Sequence, residues 1–227
     1  ATSSDELRPA MTGVYFQSEN GELTLVATDA HKLVKYSFKE LDISSDASFI
    51  VPKKALNLLK GIVNHSDQIE LKYNGSNVFF ESDSLKLSCR LIDENYPNYR
   101  AVIPQNNPNS LNANRQDLQN SLKRIAIYAN KTTNQVVLNI DNESMNISAQ
   151  DLDFSNEAAE KLNCSYAGES LTIGFNAKFL IEMLGVLETD EIKMELSSPT
   201  TAGILLPAEE ADDESILMLV MPVMLSV

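Results

Sequence analysis

The feature that most limits what this chain can fold into is a faint internal duplication. Displacing the first half by 122 positions sets Val14 on Val136, Phe16 on Leu138, Leu23 on Met145, Leu25 on Ile147, Ala27 on Ala149 and Asp29 on Asp151, without a gap. The match resumes at a displacement of 124, with Val51 on Phe175, Lys54 on Lys178, Leu59 on Met183 and Gly61 on Gly185. Single apolar matches are cheap, but their order and near-constant spacing imply two copies of one unit. Each copy reads as two strands around a polar turn, Glu19-Asn20-Gly21 and Asp141-Asn142-Glu143, then a short strand, a helix, a glycine and further strands. Asn-Gly predicts a tight hairpin, because both residues tolerate positive φ.

The second copy opens with a helix. Asn114 is placed to cap it, and Leu118, Leu122, Ile125, Ala126 and Ala129 form its apolar stripe. The equivalent helix of the first copy would end near residue 7, so the first copy is expected to lack its opening and the chain to be part of a longer protein. A helix over 53–63 is expected to bury Ala55, Leu56, Leu59, Ile62 and Val63, turning Lys53, Asn57 and Lys60 outward with Lys54 beside them. The helix from Arg115 carries Arg115, Lys123 and Arg124 outward, together with Asp117. A third, over 177–187, buries Phe179, Leu180, Met183, Leu184 and Leu187 and exposes Lys178 and Glu182. The proline- and asparagine-rich stretch 104–110 separates two expected domains, 1–107 and 108–227.

The net charge of −14 argues, as an average, against nucleic acid. The acidic residues crowd into 151–160 and 209–214, however, while bases gather on the helices, and net charge does not decide what one face binds. No aromatic residues alternate with these bases, so stacking on single-stranded bases is not expected. No helix-turn-helix, zinc-finger or ribonucleoprotein motif is present, so a contact with DNA would rest on charge alone and read no sequence. The apolar run 216–225, broken by Pro222, is too short to span a bilayer as a helix. The first residues lack a signal-peptide pattern, and the protein is expected in the cytoplasm, away from membranes. Cys89 and Cys164 read as ordinary reduced thiols. There is no phosphate-binding Gly-rich loop, nucleophile elbow or dinucleotide fingerprint. His31, in Asp29-Ala30-His31, has no second ligand cluster, and His65 sits in a polar loop and reads as solvated. Catalytic residues, a metal and a cofactor are therefore not expected, and an enzyme of unknown type is the weakest reading.

Several strings resemble the bacterial sliding clamp family, the beta subunit of DNA polymerase III. They are Arg8-Pro9-Ala10-Met11-Thr12-Gly13-Val14, Val26-Ala27-Thr28-Asp29-Ala30-His31-Lys32-Leu33, Ile50-Val51-Pro52-Lys53-Lys54, Tyr96-Pro97-Asn98-Tyr99-Arg100, Gly174-Phe175-Asn176 and Val220-Met221-Pro222-Val223-Met224-Leu225. The resemblance implies an α+β fold of DNA-clamp repeats, with antiparallel sheets outside and helices lining an inner face. On that view residues 1–107 are most of a second clamp domain, without its opening strand and helix, and 108–227 are the third. It implies a non-catalytic processivity factor that encircles duplex DNA as a homodimeric ring. Its partners would be the polymerase catalytic subunit, the clamp loader and other replication and repair proteins. These dock by short peptides in a hydrophobic pocket between the two domains.

Positions matching that pocket are Met11, Thr28, His31, Lys32, Leu33, Pro97 and Val102, then Asn176, Phe179, Leu219, Val220, Met221, Pro222, Val223 and Met224. DNA-facing residues would be Lys53, Lys54, Lys60, Arg115, Lys123 and Arg124. Ile127 and Tyr128 match an apolar pair that packs on the other subunit, so a chain without a first domain is not expected to close a ring. Departures from the family pattern are Ala30 for a glycine, Ala101 for a second arginine, Thr133 for a rim aromatic, Phe179 for a frequent tyrosine, and the added Ser226 and Val227. A peptide-binding scaffold that never meets DNA is the competing reading.

Overall fold

The computed structural model describes residues 1–39, 41, 45–63 and 68–225; His65, Ser226 and Val227 lie outside the described residues. The chain divides into two compact units, Ala1–Arg100 with Asp213–Ser215, and Ala101–Asp212 with Ile216–Val227.

In the first unit a 3-10 turn, Pro9–Thr12, leads into β1 (Gly13–Glu19), β2 (Glu22–Thr28), β3 (Lys32–Phe38) and β4 (Ala47–Pro52). These pair antiparallel in the order β3-β2-β1-β4. The β1–β2 turn is the tight hairpin expected from Asn-Gly, with φ of 53° at Asn20 and 80° at Gly21. Helix α1 (Lys53–Ile62) follows, then β5 (Glu70–Asn74), β6 (Asn77–Glu81) and β7 (Lys86–Arg90), which form a three-stranded sheet. The core joins both sheets and the helix: Phe16, Val51, Ala55, Val78 and Phe80 are buried together.

The second unit repeats this plan and adds to its beginning. It runs β8 (Asn109–Asn114), α2 (Arg115–Ile125), β9 (Gln135–Asp141), β10 (Ser144–Asp151), β11 (Asn156–Asn163), β12 (Ser165–Ala167), β13 (Leu171–Asn176), α3 (Ala177–Leu184), β14 (Glu191–Leu196), β15 (Gly203–Pro207) and β16 (Glu214–Val220). One sheet has the order β11-β10-β9-β13 and matches β3-β2-β1-β4. In the other, β14 and β15 are the counterparts of β5 and β6, and β8 covers the edge of β14. The isolated bridge Ile50–Ile92 of the first unit has its equivalent in Gly174–Val223 of the second. The Asn142-Glu143 turn closes the β9–β10 hairpin without a left-handed residue, unlike its counterpart.

The helices differ in how firmly they are held. The side chain of Asn114 accepts the Asp117 N–H at 3.0 Å and caps α2 as its sequence predicts. Leu118, Leu122 and Ile125 are buried, each worth about 1.5–3 kcal/mol of apolar transfer. Helix α2 lies against α3, where Gln119 Nε2 donates to the Ile181 carbonyl at 3.0 Å. Helix α3 stops at Leu184, short of the expected Leu187, although Leu187 remains buried.

The stripe expected for α1 is too broad. Only Ala55 is fully buried, Leu56 and Leu59 are half-buried, and Ile62 is 52% exposed. Val63 lies past the helix end. Among the described residues α1 has no helix over it as α3 has α2, so its outer apolar positions stay in water.

Candidate functional site

In the first unit, Thr28, His31, Lys32 and Leu33 lie at the β2–β3 turn. The Thr28 hydroxyl donates to the Lys32 carbonyl at 2.7 Å and accepts the Ala30 N–H at 3.1 Å. Asp29 Oδ1 accepts the N–H groups of His31 and Lys32, both at 2.9 Å, and Oδ2 meets Lys32 Nζ at 3.0 Å. Burial pushes the Asp29 carboxyl up, but the Lys32 ammonium and the two backbone donors outweigh it and hold the group below its ordinary value. The result is a stiff turn that projects an exposed His31. The equivalent Asp151 of the second unit likewise accepts the N–H two residues on, from Asp153 at 3.2 Å.

Met11, half-buried, is held by its carbonyl, which accepts the Ser3 N–H at 2.8 Å. Pro97 is exposed next to Tyr96, whose ring stacks on Tyr15 at 4.7 Å and whose hydroxyl donates to the Val26 carbonyl at 3.3 Å. Burial pushes the Tyr96 phenol well above its ordinary value, so it remains a neutral donor.

In the second unit Asn176 caps α3: its Oδ1 accepts the Lys178 N–H at 3.0 Å, and its Nδ2 donates to the Thr133 carbonyl at 3.1 Å. Phe179, one turn along, is half-buried. The C-terminal strand ends in buried Leu219 and Val220, and the chain then crosses β13, where the Val223 N–H donates to the Gly174 carbonyl at 2.8 Å. Pro222 and Val223 are half-buried, whereas Met221 is 40% and Met224 72% exposed. Val102 is exposed as well.

Three of the expected docking residues are corrected by burial: Leu33, Leu219 and Val220 are at most 3% exposed and belong to the core. Thr28 is similarly buried, and its hydroxyl is already used inside the turn.

The basic residues also separate into two classes. Lys53, Lys54, Lys60 and Lys123 are exposed. Arg115 is not an outward base: its Nε donates to the Thr189 carbonyl at 2.7 Å and its Nη1 to the Leu184 carbonyl at 3.1 Å, closing the C-terminal end of α3. Arg124 grips Glu160 of β11 with two bonds of 2.7 Å. That pairing raises the arginine and lowers the glutamate from their ordinary values, and it leaves little free positive charge at this point. Sequence reasoning missed both partners, because nothing in local spacing links residue 124 to 160 or 115 to 189.

Ile127 and Tyr128 are exposed on the 3-10 turn that continues α2. Burial raises both cysteine thiols, which makes them poor nucleophiles. Among the described residues no group of three or more His, Cys, Asp or Glu is arranged to hold a metal. No described helix is long and apolar enough to cross a membrane.

Comparison with known families decides the kinship. Residues 1–98 match the central domain of the DNA polymerase III beta subunit, and residues 100–224 match its C-terminal domain. The chain belongs to the DNA polymerase III beta subunit family. Among curated relatives, the beta sliding clamp of Staphylococcus epidermidis is 29% identical over 225 residues, covering 98% of this chain and 59% of that protein. The beta sliding clamp of Synechococcus elongatus is 31% identical over 234 residues, covering 99% and 61%. The crystal structure of the Bacillus subtilis DNA polymerase sliding clamp superposes with a TM-score of 0.93 at 27% identity, covering 100% of this chain and 60% of that one. A Pseudomonas aeruginosa sliding clamp bound to griselimycin superposes with a TM-score of 0.92 at 26% identity, covering 99% and 60%. The chain thus spans about three fifths of the length of the beta-subunit relatives it matches. The mixed α/β fold with antiparallel sheets expected from the sequence is the beta-subunit fold.

Proposed function

We propose that this chain is part of a DNA replication processivity factor, a non-catalytic clamp that holds a polymerase on duplex DNA without reading sequence. The observation that carries the reading is the pair of family matches, one to each unit, in the order central domain then C-terminal domain. Exposed Lys53, Lys54 and Lys60 on the first unit, and exposed Lys123 on the second, support weak attraction to phosphates, as sliding requires. Partners on this reading are duplex DNA, the polymerase catalytic subunit, the clamp loader and other replication and repair proteins. The complete protein would act as a closed dimer to which Ile127 and Tyr128 contribute.

Partners dock by short peptides. Met11, His31, Lys32, Pro97 and Val102 are proposed to contribute with Asn176, Phe179, Met221, Pro222, Val223 and Met224, while Thr28, Leu33, Leu219 and Val220 are buried and contribute through packing within their own units. Methionine suits such a role, because its unbranched thioether adapts to different peptide side chains. Titration of a fluorescent peptide of the Gln-Leu-x-Leu-Phe kind tests this. Saturable binding is expected, with Met221→Glu weakening it at least about tenfold, the cost of setting a charge against an apolar anchor. Unchanged binding by Met221→Glu sinks the docking assignment.

The second reading, a peptide-binding scaffold that does not touch DNA, is favoured by the net charge of −14 and by the neutralised Arg124. Retention of the full-length protein on circular DNA separates the two.

A further inference from the structure

The chain has seven methionines, and they are not equally open to solvent. Met145, Met183, Met194 and Met218 are at most 3% exposed, and Met11 is half-buried. The two exposed ones, Met221 and Met224, stand three residues apart in the segment assigned to peptide docking. Their placement follows from the anchoring of that segment. Val223 is bonded to Gly174, and Leu225 closes over the same glycine, so close that a Cβ there would lie 2.7 Å from Leu225 Cδ2. The backbone is therefore held while the two thioethers flank the anchor in water.

A thioether is the side chain most easily oxidised after a thiolate, and exposure decides which ones react. The competing thiols are half-buried and raised, hence protonated and slow.

We propose that Met221 and Met224 form an oxidation-sensitive pair through which peroxide switches peptide docking off; this rests on the docking role proposed above. In the step, the sulfur lone pair attacks one oxygen of hydrogen peroxide, the O–O bond breaks, and the second oxygen leaves as water after proton transfer. Sulfur is oxidised by two electrons to the sulfoxide, and the peroxide is reduced. The product replaces a pliable apolar surface with a strong dipole, which an apolar peptide side chain cannot satisfy. A methionine sulfoxide reductase would reverse it.

The test oxidises this chain with graded hydrogen peroxide, maps each methionine by peptide mass spectrometry, and titrates the fluorescent Gln-Leu-x-Leu-Phe peptide at each stage. Met221 and Met224 are expected to oxidise before the other five, with affinity falling about tenfold in step and returning after reductase treatment. The Met221→Leu/Met224→Leu double variant cannot be oxidised there, so its own starting affinity, whatever that is, should be unmoved by peroxide. Oxidation of the buried methionines first, or equal binding before and after oxidation at 221 and 224, overturns the proposal. So does an equal peroxide loss in the double variant. Untreated protein that is folded but binds no peptide overturns the docking reading itself, an outcome visible before peroxide is added.

Discussion

At Ala30 the backbone takes φ of 74°, a conformation that costs any residue with a Cβ roughly 1–2 kcal/mol. The resemblance places a glycine here in related clamps, and the geometry gives the reason. The turn keeps its shape because Thr28 and Asp29 fasten it on both sides. Ala30→Gly should relieve the strain while loosening the unfolded chain, for a net gain of up to about 1 kcal/mol, seen as a higher denaturation midpoint at unchanged slope. Asp29 makes the same turn sensitive to pH. Its folded carboxyl titrates below the ordinary 3.8, so its contribution is complete above that value and is lost as pH falls through the lowered one. Asp29→Asn should therefore cost about 1–2 kcal/mol near neutral pH, and the gap to the parent should narrow on acidification to about pH 3. An equal gap at both pH values would remove the carboxylate from the explanation. The residue pattern revealed this turn as a motif, but not which donors its carboxylate would hold.

Elements were more legible than contacts. Both hairpins, the capped helix at Asn114 and the strand after each glycine could be read from periodicity and turn chemistry, which are local properties. Asn114→Ala removes the side chain that accepts the Asp117 N–H at the start of α2 and should cost about 1 kcal/mol in thermal or denaturant unfolding. Ile62 was misread for a physical reason: an amphipathic stripe shows which face of a helix is apolar, not whether another element covers it. Helices α1 and α3 share a place in the repeat, yet among the described residues α3 is roofed by α2 and α1 has no such cover, while their sequences alone look alike in this respect.

For the molecule as a whole, the duplication and the family strings carry the fold, while the pairing of its bases shows only in the structure. Arg124 counts as a base in the sequence and as half of an ion pair in the fold. On the processivity reading, neutralising Lys53, Lys60 and Lys123 in the full-length protein should shorten retention on circular DNA, more so at low salt. Glu160→Gln should act in the opposite direction by releasing Arg124 to phosphate. Indifference of retention to both changes would favour the scaffold that avoids DNA.

Gly174 offers a last consequence. Its missing side chain is what lets Val223 and Leu225 lie down on β13. A tail that is already seated has surrendered its conformational entropy during folding. On the docking reading proposed above, an incoming peptide would meet a finished template and need not order it, so the glycine beneath the segment would help set how tightly that peptide is held.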